Sequence, residues 1–170
     1  KRIVQSAELP FTDLYTHVVL NDGELSLEPL RFGVAGGKLD AQIRLNGRAA
    51  PLKGSARLTA RNFKLKQLFP TFEPMKTSFG ELNGDATITG TGNSVAKLLG
   101  TANGDLKMII NDGAISRSLM EIAGLNVGNY VVGKIFGDED VKINCAAADL
   151  GIKNGLASTR LFVFDTENAI

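Results

Sequence analysis

What most constrains this chain is an alternation of apolar and polar residues, repeated along it and broken at short intervals by glycine. Leu39, Ala41, Ile43 and Leu45 alternate with Asp40, Gln42, Arg44 and Asn46, and Ala56, Leu58 and Ala60 with Ser55, Arg57, Thr59 and Arg61. Ala86 and Ile88, then Leu106, Met108 and Ile110, then Val141, Ile143, Cys145 and Ala147 follow the same rule. Strand side chains point alternately to two faces, so a period of two predicts antiparallel strands with one apolar and one solvated face. Such a sheet must cover its apolar face with a second sheet, with helices or with a ligand.

The interruptions are chemically specific. Asp22-Gly23, Gly36-Gly37, Asn46-Gly47, Asn83-Gly84, Asn103-Gly104, Asp112-Gly113 and Asn154-Gly155 are turn or bulge signals, because glycine and asparagine accept the positive φ of tight hairpins. Leu25 and Leu27 fall one residue out of phase with Leu30, Phe32 and Val34, and Pro29, which lacks a ladder N–H, predicts a bulge at the slip. Helical signals are fewer. A short turn is expected over Lys64 to Phe69, before Pro70, and a second helix from Val95 to Leu99, capped by Ser94 and stopped by Gly100. A long helix is expected from about Ser116 to Phe136, where Leu119, Ile122, Ala123, Val127, Tyr130, Val131 and Ile135 recur at helical spacing. The fold class expected is mainly β with minor α, in a single domain spanning 1–170.

Composition removes several function classes. The chain is 44% hydrophobic with a net charge of +1, which leaves no basic footprint for nucleic acid and no polybasic membrane patch. Cys145 stands alone, so no internal disulfide or cysteine-based metal site can form, and its apolar run predicts a buried thiol. His17 is the single histidine, which excludes a histidine-rich metal site, and within Tyr15-Thr16-His17-Val18 it reads as a strand-surface or half-buried side chain and not as a catalytic base. Gly90-x-Gly92 lacks the third glycine of a dinucleotide fingerprint, since Val95 occupies that position. Asp138-Glu139-Asp140 lacks the alternating ligands of a calcium loop and reads as a solvated turn. No enzyme activity, cofactor or metal is expected. No apolar run reaches the ~18 residues of a spanning helix, and Lys1-Arg2-Ile3-Val4 gives way to polar residues too early for a signal peptide. The last residues stop while the pattern is still that of a strand, as expected of a piece of a longer protein.

The stretch Asn21-Asp22-Gly23-Glu24-Leu25-Ser26-Leu27-Glu28-Pro29-Leu30, continuing through Phe32 to Gly36-Gly37-Lys38-Leu39, resembles a block of the AsmA family. A second block, Gly90-Thr91-Gly92-Asn93-Ser94 with Leu98-Leu99 and then Gly104-Asp105-Leu106 to Asp112-Gly113-Ala114-Ile115, resembles the same family further on. Each motif is loose alone; their order and spacing over about 100 residues carry the likeness.

The resemblance implies an envelope protein of Gram-negative bacteria, anchored in the inner membrane by an N-terminal helix outside this chain and projecting into the periplasm. AsmA-like proteins are similar to TamB and to bridge-like lipid-transfer proteins, whose curved sheet carries phospholipid in an apolar groove between membranes. The architecture then expected is a curved antiparallel β-meander, an open groove or half-barrel, with one long and one or two short helices packed at one end. The groove would be lined by Leu25, Leu27, Phe32, Val34, Leu39, Ile43, Leu45, Leu58, Ile88, Leu106, Met108 and Ile110. The implied partners are phospholipid or another acyl-chain ligand, the inner membrane and outer-membrane components. Two expectations remain open on the residues themselves. A closed sandwich or barrel would satisfy the same alternation. A non-enzymatic assembly domain, pairing an edge with a strand of an outer-membrane protein, would use the same sheet.

Overall fold

The computed structural model describes residues 9–48, 50–68, 70–71, 78–116 and 140–167. These form strands β1 (Thr12–Asn21), β2 (Glu24–Val34), β3 (Gly37–Asn46), β4 (Lys53–Lys64), β5 (Phe79–Thr91), β6 (Asn103–Ser116), β7 (Asp140–Lys153) and β8 (Leu156–Thr166). Two short helices, α1 (Leu65–Leu68) and α2 (Val95–Gly100), follow β4 and β5. The strands make one eight-stranded sheet in chain order, each antiparallel to the next, and the sheet is curved without closing into a barrel. The meander follows from local chemistry: β2 to β6 read period two, and consecutive strands tend to pair with the strand just made, the β1–β2, β2–β3 and β7–β8 connections being two-residue turns.

The turn signals divide into two kinds. Asp22-Gly23 and Asn154-Gly155 are hairpin turns, with φ of 44° and 73°, and of 51° and 76°, the double positive φ that suits the strand twist. At the next hairpin the turn is Ala35-Gly36, with φ of 50° and 72°, and Gly37 already opens β3. Asn83-Gly84, Asn103-Gly104 and Asp112-Gly113 lie within β5 and β6 and reverse nothing. There glycine serves close approach: a Cβ built on Gly104 would stand 1.9 Å from the Thr87 carbonyl oxygen.

Register shifts bend the sheet. The expected bulge at Glu28-Pro29 is present between Leu27 and Leu30, and beyond it Leu30 pairs with Ala41 and Phe32 with Leu39. The slip therefore restores Leu30, Phe32 and Val34 to the face of Leu25 and Leu27. A second shift, between Ala60 and Phe63, sets Phe63 opposite Leu82. A third falls between Ile143 and Cys145 on the β8 side of β7. Ile143, 1% exposed, joins the core, whereas Cys145 pairs with Asn111 and Asp165 and is only half-buried. The expectation of a buried Cys145 on one face with Val141 and Ile143 is thus corrected; the bulge turns the strand between them.

The closed core is small. Leu65 of α1, Ile115, Ile143 and Ala146 are buried together, with Leu68, Leu82, Ile110 and Phe164 packed around them. It lies at the end of the sheet where β4 runs into α1. The second helix stands at the opposite end of the strands, where Leu98 lies over Gly54. Ser94 caps α2 as expected, its hydroxyl accepting from the Lys97 N–H at 3.2 Å. Of the long helix expected from Ser116 to Phe136, residues 117–136 lie outside the described residues, and Ser116 is instead the fully buried last residue of β6. Asp138 and Glu139 also lie outside them, and Asp140 opens β7.

Candidate functional site

The cross-strand pairs assemble one apolar face. One row runs Leu30, Ala41, Leu58, Ala86, Leu106 and Leu150 from β2 to β7. The next runs Phe32, Leu39, Ala60, Gly84, Met108, Ala148 and Phe162 out to β8. On the other side of the first, Leu27, Ile43, Ala56, Ile88, Gly104 and Ile152 fall in line. Small residues, Ala41 and Ala86 in the first row, Ala60, Gly84 and Ala148 in the second, Ala56 and Gly104 in the third, interrupt the large ones.

Burial along these rows is uneven in an informative way. Ala41 and Ala86, short side chains flanked in their row by Leu30, Leu58 and Leu106, are 3% and 8% exposed. The larger neighbours themselves remain partly open. Leu25, Leu27, Phe32, Val34, Leu39, Ile43, Leu45, Leu58, Ile88, Leu106, Met108 and Ile110 all lie on this face, and every one is half-buried. Among the described residues there is one sheet only, so no second sheet lies across them. The structure therefore brings together all the groove residues named from the sequence.

Sequence reasoning missed others on the same face. Phe63 pairs with Leu82 beyond a bulge that no proline marks. Phe162 and Phe164 of β8 pair with Ala148 and Ala146 and stack with centroids 6.3 Å apart. β8 reads Leu161-Phe162-Val163-Phe164, apolar on both sides, so alternation gives no facing for it. Among exposed apolar side chains, Leu14, Val18 and Leu20 of β1 and Leu156, Leu161 and Val163 of β8 mark the two outer strands of the sheet.

The opposite face carries Ile109, Ala147 and Val163 in register towards β8 and is otherwise polar and tied by ion pairs. Arg31 meets Asp40 at 2.5 Å, Arg44 meets Glu28, Arg61 meets Asp85 at 3.0 Å, and Arg160 meets Asp105. The hydrogen bond from Arg44 holds the Glu28 carboxyl below its ordinary value. The Asp85 carboxyl is lowered by the bond from Arg61, against the opposing effect of desolvation, with help from the Thr59 hydroxyl. These pairs are exposed, so each contributes little to stability; their effect is to keep this face in water. His17 is exposed on β1.

At the α1 end, the β2–β3 hairpin, the start of β1 and α1 enclose an open cavity of about 1400 Å³. Phe32, Val34 and Leu39 give it an apolar wall, while Arg31, Lys38, Asp40, Asp13 and Lys66 stand around it. Phe11 packs edge-on against Phe32, with centroids 5.2 Å apart. A smaller cleft of about 620 Å³ lies at the other strand end and is lined by polar residues, including Lys53, Thr89, Asn103 and Asn154.

A family model described as the AsmA family matches residues 1–162. The "AsmA family protein YhjG" of Escherichia coli (strain K12) is 55% identical over 170 residues, which is 100% of this chain and 25% of that protein. The chain thus spans about a quarter of the length of that relative. No solved structure matches the chain. Among the described residues no helix is long and apolar enough to cross a membrane.

Proposed function

Since the chain belongs to the AsmA family, we propose that its apolar face is a groove that carries the acyl chains of phospholipid across the periplasm, between inner and outer membranes, without chemistry on the cargo. The protein would be held in the inner membrane by a segment outside this chain. One observation carries the reading: a whole face of large apolar side chains is half-buried, neither sealed as core nor dispersed singly over a surface. Contiguous apolar surface of that extent marks a site for an apolar partner. Eight strands leave seven spacings of about 4.8 Å, so the face runs roughly 34 Å across the strands, comparable with the ~30 Å hydrocarbon core of a bilayer. Each methylene that leaves water for the groove contributes about 0.8 kcal/mol, so a few suffice to hold a chain while leaving it free to slide.

Extraction of the purified protein followed by mass spectrometry tests this directly. Phospholipid should be recovered from the wild type. Ile43→Asp should keep the folded spectrum and lose the lipid, because a charge on an open face reaches water yet repels an acyl chain. Arg57→Asp, on the polar face, should retain both. Unfolding by Ile43→Asp together with a lipid-free wild type would refute the groove and leave a closed β-domain.

A further inference from the structure

Resting on the groove reading, we propose that the cavity between the β2–β3 hairpin and α1 is a headgroup subsite that selects anionic phospholipid, with the phosphate held by Lys38 and Lys66 and the first acyl carbons laid on Phe32, Val34 and Leu39. The cavity, about 1400 Å³, exceeds the ~300–1,000 Å³ of ordinary small-molecule pockets and is open on one side, as an amphiphile with a long tail requires. Its lining is amphipathic by construction. Lys38 is the second residue of β3 and pairs with Gly33 and Arg61, which sets it on the polar side of the sheet, whereas its neighbour Leu39 pairs with Phe32 on the apolar side. The subsite therefore straddles the line where the polar face meets the groove.

The charges point to the sign of the ligand. Arg31 and Asp40 line the same cavity but neutralise each other at 2.5 Å. Three charged side chains remain, Lys38, Lys66 and Asp13, and among the described residues none of them has an ion-pair partner. They sum to one positive charge, complementary to a head with one net negative charge. A zwitterionic head gains less from that field, since its ammonium meets both lysines. Lys66 is delivered by α1, whose Leu65 is anchored in the closed core, so the ammonium is carried on a fixed element.

The intact protein, incubated with vesicles of phosphatidylglycerol and phosphatidylethanolamine in equal amounts, re-isolated and extracted, gives the composition of its bound lipid. Phosphatidylglycerol should be enriched about fivefold at low salt, the scale of two partly exposed charge contacts, and less at 1 M salt. Lys38→Ala with Lys66→Ala should bring the ratio close to that of the vesicles while total bound lipid persists. Asp13→Asn should raise it, and Lys53→Ala, at the far strand end, should leave it unchanged. Bound lipid at the vesicle ratio in the wild type, or enrichment that survives loss of both lysines, overturns the subsite and leaves the groove standing. Failure to recover any lipid from the wild type overturns both.

Discussion

The same chemical deletion at two isoleucines distinguishes an open face from a closed one. Ile143 is 1% exposed in the cluster with Leu65, Ile115 and Ala146, so Ile143→Ala removes three buried carbons from a sealed site. Transfer alone is about 2.4 kcal/mol at ~0.8 kcal/mol per carbon, and the residual cavity raises the cost to roughly 3–4 kcal/mol. Ile43 pairs with Leu27 and Ala56 on the apolar face and is only half-buried. Ile43→Ala loses about half the transfer term and leaves a dent open to solvent instead of a void, so about 1 kcal/mol is expected. Urea unfolding of delipidated protein, followed by circular dichroism, reads both. With a slope near ~2 kcal/mol per M, the midpoint should fall by about 1.5–2 M for Ile143→Ala and about 0.5 M for Ile43→Ala. Equal losses of several kcal/mol would show that the face is as dry as the core, and the argument from half-burial would fail.

Two further tests address the rest of the sheet. Glu28 and Asp85 are lowered by Arg44 and Arg61, so their contribution is fully present above the ordinary carboxylate range near about pH 4 and is lost as pH falls through the lowered folded values. Urea midpoints should thus be flat from pH 7 to 5 and decline below about pH 4, and Arg44→Ala with Arg61→Ala should flatten that decline; an unchanged slope would refute the role of these pairs. Gly104→Ala would force a Cβ to 1.9 Å from a backbone oxygen at φ of 154°, and should cost upwards of about 2 kcal/mol, whereas Gly100→Ala, with nothing within 4 Å, should be neutral or stabilising by some tenths. Thermal unfolding compares the two, and similar melting temperatures would contradict the close strand approach at Gly104.

How much of this could be read from residues alone depended on whether each position carried its own local signal. Strand identity and facing were legible over β2 to β6, because one face is solvated and alternation marks it. The bulge at Pro29 was legible because proline announces a missing ladder N–H. The bulge between Ile143 and Cys145 carries no such mark, so a run that alternates cleanly in sequence changes face in the structure. Asn83-Gly84, Asn103-Gly104 and Asp112-Gly113 look like turns, yet in the folded sheet they serve close contact between strands, and a dipeptide cannot show which demand it meets.

The site itself divides along the same line. Which residues share the apolar face is a matter of register, and pairing depends on local pattern, so all the groove residues named from sequence came together. The cavity at α1 joins Asp13, Lys38 and Lys66, which only the meander and the α1 turn bring near one another. Whether the face is open is a different kind of property. A period of two is identical in a closed sandwich and an open groove, since both present alternate side chains to an apolar environment. What separates them is the inequality within one row: Ala41 and Ala86 are buried, while Leu30, Leu58 and Leu106 beside them keep part of their surface uncovered. A second layer would have buried the leucines first, because they stand furthest from the backbone.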